Sequence, residues 1–159
     1  MNDVLNTILQ FFQEISLPYR YEALDQTTFL PGIKIESGVL LIDLDKLVYK
    51  GDLLHEAGHI AVTAGDVRHI LSGDVAADGG DVAGEEMAAI AWSWAALTYL
   101  KLPPELVFHP NGYSGGSANY IEGFQRQGGF GHPLLSYFNM CLPCGCQGGY
   151  PLMQKWLRG

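Results

Sequence analysis

The chain has 159 residues, 48% hydrophobic and 16% charged. That is long enough for one domain with a substantial core, and too apolar for a disordered chain. A net charge of −8 argues against a nucleic-acid partner, and no run of 18 or more apolar residues is present to form a transmembrane helix.

The acids are unevenly placed. Residues 36 to 86 hold eleven acids against three bases, whereas residues 101 to 159 hold two against four. A basic or neutral polypeptide suits such a surface better than a polyanion, although acids also serve solubility alone. The N-terminus, MNDVLNTILQFFQEISL, has no basic residue before its apolar positions and carries Asp3 and Glu14, unlike a secretory signal. Cys141, Cys144 and Cys146 are an odd, clustered set. Reduced thiols in a cytoplasm are expected rather than a secreted disulfide framework.

In chain order, Val4, Leu5, Ile8, Leu9, Phe12 and Ile15 recur at helical spacing, which predicts an amphipathic helix over 2–16 ending at Leu17-Pro18. Its polar face lacks the Lys and Arg that a membrane-surface helix wants. Residues 19–23 read as a short strand. Pro31-Gly32 is a turn, and Ile33 to Glu36 and Val39 to Leu44 flank Ser37-Gly38 as a β-hairpin. A mostly apolar helix follows over 51–64, with Asp52 placed to cap its start and Gly65 its end. Residues 65–84 read as an acidic connection. Asp74, Asp78 and Asp81 do not match the EF-hand calcium pattern there, and His69 reads as a surface residue. Glu85-Glu86 then opens a nearly all-apolar helix to residue 100, stopped by Pro103-Pro104. Short helices are predicted over 117–127 and 133–142, and a last one from Pro151 to Trp156.

The chemistry concentrates in Leu53-Leu54-His55-Glu56-Ala57-Gly58-His59-Ile60. On a helix His55 and His59 project one turn apart from the same face and can share one metal ion. Glu56 is displaced around the helix, where a general base acting on metal-activated water belongs. This is the HExxH pattern of the zincin metallopeptidases. Gly58 costs about 1 kcal/mol against alanine inside a helix, so a packing or metal-site reason is expected for it, for example close approach of another backbone.

Zincins differ in the third ligand. The metzincin pattern needs a glycine at position 62 and a histidine at 65, where this chain has Val62 and Gly65. The remaining common solution is a glutamate on a later helix. Glu85 and Glu86 both qualify, about 26 residues past His59. The order strand, HEAGH helix, acidic connection and Glu-led apolar helix resembles the ImmA/IrrE-type minimal metallopeptidases, a gluzincin-like group. The resemblance spans roughly residues 39–103. The stretch Glu86-Met87-Ala88-Ala89-Ile90-Ala91 is similar to that group's Glu-Ala-Asn-x-Phe-Ala pattern, with Ala88 in place of the Asn.

That resemblance implies an α+β minimal zincin-like domain over 1–159, with a small sheet or hairpin packed on a helical core. It implies zinc held by His55, His59 and Glu86, with Glu56 as general base in hydrolysis of a peptide or protein substrate. An oxyanion donor is expected among Tyr113, Tyr120, His109 and His132. Cys141, Cys144 and Cys146 resemble half a zinc knuckle, which His132 could complete. The rival expectation is a non-catalytic metal-binding or protein-interaction module on the same scaffold. Oligomeric state has no signature in the sequence.

Overall fold

The structure, a computed structural model, describes residues 3–25, 28, 30–72, 83–110 and 115–159. It is α+β, with five α-helices and a three-stranded sheet among the described residues. Helix α1 (Asp3–Glu14) buries Leu5, Ile8, Leu9, Phe11 and Phe12, the stripe its spacing predicts. It ends before Pro18 because Ser16 turns left-handed (φ 63°) and the Leu17 N–H closes on the Phe12 carbonyl at 2.8 Å.

Strands β2 (Ile33–Glu36) and β3 (Val39–Ile42) form the expected antiparallel hairpin, with Ile33 opposite Ile42 and Glu36 opposite Val39. Ser37 and Gly38 both have positive φ (52° and 78°), the conformation that matches a two-residue hairpin turn to strand twist. Strand β1 (Tyr19–Tyr21) lies parallel to β3 on its other side, giving the order β1-β3-β2.

Helix α2 (Asp52–Val62) is buried along its whole length and packs on β2 and β3 on one side and on α3 (Ala83–Leu100) on the other. Gly58 is where the two helices touch: a Cβ there would lie 2.8 Å from the Ala89 carbonyl oxygen. Of the packing and metal-site reasons its cost allowed, this contact is a packing one. Helix α3 ends when Lys101 turns left-handed (φ 57°) and the Leu102 N–H reaches the Leu97 carbonyl at 3.0 Å. The stop is therefore in place before Pro103-Pro104. Helices α4 (Ser117–Gln127) and α5 (His132–Tyr137) follow, α5 shorter than the 133–142 expected. No described helix is long and apolar enough to cross a membrane.

Three local expectations are corrected. Asp52 makes no cap hydrogen bond, because its carboxylate is turned to a histidine from a distant loop. Gly65 is not the cap of α2. Thr63 leaves the helix in extended conformation, and Gly65 instead donates to the Gly159 carbonyl at 3.1 Å. Residues 151–156 are turns rather than a helix. Their Gln154 and Lys155 N–H groups both go to the Met140 carbonyl (2.9 and 3.0 Å), which removes them from any helical ladder.

That C-terminal segment closes the core. Trp156 packs edge-on to Phe11 and Trp92, and Trp92 Nε1 donates to the Trp156 carbonyl at 2.9 Å. Arg158 N–H donates to the Ala61 carbonyl (2.9 Å) and its guanidinium to that of Val62 (3.1 Å). Arg68 adds bonds to the carbonyls of Ile60 (3.1 Å), Thr63 (3.0 Å) and Arg158. Two arginines thus supply donors to carbonyls at the end of α2.

Candidate metal centre

Helical geometry alone brings His55 and His59 together, with ring centroids 5.2 Å apart. Contact between α2 and α3 at Gly58 and Ala89 then sets the phase of α3, and Glu86 lies one turn before Ala89. One carboxylate oxygen of Glu86 is 2.8 Å from His59 Nε2 and the other is 3.5 Å from His55 Nε2. Ligand atoms of His55, Glu56 and His59 all lie within 4.8 Å of one another, and this is the described residues' metal-capable group of three. Two imidazoles and carboxylates are a borderline donor set that could hold a divalent transition ion.

Both histidine side chains are 6% exposed and Glu86 is 41% exposed, so the cluster meets solvent on the α3 side. Glu56 is almost completely buried. Burial pushes the His55 pKa down to about 4, with the neighbouring His59 adding to the effect and Glu86 opposing it. At neutral pH His55 is therefore an uncharged imidazole with a lone pair to give. Burial pushes the Glu86 carboxyl up, but the hydrogen bond with His59 and the attraction of the two imidazoles when they are protonated prevail and hold it below the ordinary carboxylate value. Such a neutral imidazole and anionic carboxylate are the forms that bind a cation.

The remaining sequence candidates fall in different places. His109 Nε2 is 3.1 Å from Asp52 Oδ1 at the start of α2, and its ring lies flat on Tyr49 with centroids 3.9 Å apart. Tyr120 packs between Phe108 and Phe130. His132 stacks on Tyr150, whose hydroxyl donates to the Ala91 carbonyl of α3 at 2.6 Å. His69 is exposed. Tyr113, Asp74, Asp78 and Asp81 lie outside the described residues. Cys141 is buried, Cys144 half-buried and Cys146 exposed, all three unbridged. Their sulfurs and His132 do not converge as a ligand set among the described residues.

The Asp52–His109 pair is the feature that reading the sequence missed. The partners are 57 residues apart, and neither stands in a motif with the other. The packing of the Leu106-Val107 backbone on Gly51 and the stacking of His109 on Tyr49 bring them together. A Cβ at Gly51 would lie 1.8 Å from the Leu106 carbonyl oxygen. Compared with protein-family profiles, with curated proteins and with solved structures, the chain matches none.

Proposed function

We propose that this chain is a zinc-dependent metallopeptidase of the gluzincin type, similar in its minimal zincin-like plan to the ImmA/IrrE group. One observation carries the proposal: a single carboxylate, Glu86, faces the Nε2 atoms of both HExxH histidines, with Glu56 beside them. His55, His59 and Glu86 would be the residues that hold the ion. Zinc held there supplies Lewis acidity and brings the pKa of a water molecule toward about 7.

The chain's own residues do the rest. Glu86 contributes the negative charge that offsets a dication. Glu56, nearly sealed from solvent, accepts the proton of the attacking water at its carboxylate and passes it to the leaving amine. Burial strengthens these electrostatic interactions. The substrate is a peptide or protein, and the acid-rich half of the chain favours a basic or neutral one over nucleic acid. Three unbridged thiols support a cytoplasmic setting.

A proteome-derived peptide library incubated with the zinc-loaded protein tests the activity. We expect new termini with the wild type and a loss of about a hundredfold or more in Glu56→Gln, with zinc content unchanged. Equal cleavage by Glu56→Gln contradicts the assigned base. Stoichiometric zinc with no cleavage by the wild type favours the non-catalytic binding module.

A further inference from the structure

The metal centre makes no use of the three thiols, which stand together on one loop after α5. That loop is closed at its base. Leu142 and Gly149 form a bridge, and the Tyr150 N–H donates to the Leu142 carbonyl at 3.0 Å. Cys141 opens the loop and is buried, with its Sγ 3.6 Å from Ser136 Oγ. Cys144 is half-buried. Its Sγ lies 2.6 Å from the place a Cβ would take at Gly128, the left-handed cap of α4. His132 Cδ2 is 3.7 Å from that same place, and the His132 ring stacks on Tyr150. Cys146 is exposed.

Cys141 and Cys144 act on one another. Burial raises the Cys141 thiol above its ordinary value; the Ser136 hydrogen bond opposes this and the charge of Cys144 adds to it. Burial likewise raises the Tyr150 hydroxyl, and the charges of Cys141 and Cys144 add to that shift. Both sulfurs are thus within electrostatic reach of each other and of one phenol. Two residues, Leu142 and Pro143, separate them. That Cys-x-x-Cys spacing lets an attacking thiol and a resolving thiol serve one disulfide. The two differ in burial in the sense such exchange requires. The outer thiol can meet a disulfide from solvent, and the inner one is kept protonated until the outer has reacted.

We propose that Cys144 and Cys141 form a dithiol–disulfide couple that exchanges with low-molecular-weight disulfides, Cys144 attacking and Cys141 resolving. The Cys144 thiolate attacks one sulfur of R–S–S–R. That S–S bond breaks, a Cys144–S–S–R bond forms, and the first R–S⁻ leaves and takes up the proton that Cys144 released. Cys141 then loses its proton to solvent and attacks Cys144 Sγ. The second R–S⁻ is expelled and is protonated in turn. The chain gives up two electrons and two protons, and R–S–S–R becomes two R–SH. Cys146 takes no part. The couple is separate from the metal centre and does not depend on the peptidase reading.

The test holds the reduced full-length protein in glutathione buffers of rising glutathione-disulfide content. Remaining thiols are then alkylated in denaturant, and the peptides are mapped by mass spectrometry. One bridge per chain is expected in the wild type, from Cys141 to Cys144. Cys146→Ser is expected to form the same bridge. Cys141→Ser should stop at a glutathione adduct on Cys144, and in Cys144→Ser the Cys141 thiol should stay free of adduct. A wild type in which Cys141 and Cys144 remain unbridged at the most oxidising ratio overturns the proposal, as does a bridge that runs to Cys146 instead. A glutathione adduct on Cys141 in Cys144→Ser overturns the order of attack. If Cys141→Ser does not fold, the wild-type map and Cys144→Ser decide.

Discussion

A single hydrogen at position 58 lets α2 and α3 meet. Alanine there would set a methyl 2.8 Å from the Ala89 carbonyl oxygen and 3.2 Å from its Cα, both backbone atoms with little room to move. Overpacking of this kind costs about 1–3 kcal/mol, against a gain of about 1 kcal/mol in helix propensity. Gly58→Ala is therefore expected to lower stability in a denaturant melt. It should also weaken metal binding, because it pushes Glu86 away from the histidines. Asp43 offers a separate test. Its carboxylate accepts from the Leu24 and Asp45 N–H groups (2.9 and 3.1 Å), and these bonds, the first above all, hold its pKa below the ordinary value. A depressed carboxyl adds stability above its unfolded pKa of about 3.9 and loses it as pH falls through the folded value. Asp43→Asn should thus be less stable at pH 7 and show a shallower acid transition below pH 4, read by circular dichroism. His55, Glu56 and His59 were legible because their relation is one helical turn. The choice of Glu86 over Glu85 was carried only by resemblance. Its physical cause is the phase of α3, which depends on a contact no local pattern encodes.

Among the elements, α2 is the one whose ends are managed from elsewhere. Its C-terminal carbonyls are met by Arg68 and Arg158, and the Arg158 guanidinium lies 3.7 Å above the Phe138 ring. Arg68→Met keeps the stem and removes the donors that meet the half-buried Thr63 and Arg158 carbonyls, while Ile60 keeps its bond from the Thr63 N–H. A loss of about 1–3 kcal/mol is expected, measurable as a lower denaturation midpoint with unchanged slope. If the midpoint holds, the bonds from Arg68 contribute nothing to the stability of α2. The cap predicted at Gly65 failed because a long-range donor replaced a local one. The same physics undid the predicted final helix, whose N–H groups are taken by the Met140 carbonyl. Helices α1, α2 and α3 were readable from periodicity and apolar runs, since each carries its own burial pattern.

For the molecule as a whole, the hairpin β2-β3 and the α2–α3 pair form the frame that the sequence indicates. The parallel addition of β1, giving β1-β3-β2, was not legible. A three-residue strand has too few side chains to report its partner, and pairing between residues 19 and 40 is a tertiary choice. The α+β architecture stands on the described residues. The gluzincin reading depends on one property of the assembled chain, that α2 and α3 jointly hold zinc. The most direct measurement is zinc per chain, by inductively coupled plasma mass spectrometry, in the wild type, His55→Ala, Glu86→Gln and Glu85→Gln. One zinc per chain is predicted for the wild type and Glu85→Gln, with loss in His55→Ala and marked depletion in Glu86→Gln. A wild type that retains no zinc after loading, or a Glu86→Gln protein that holds it as tightly as the wild type, would contradict the account.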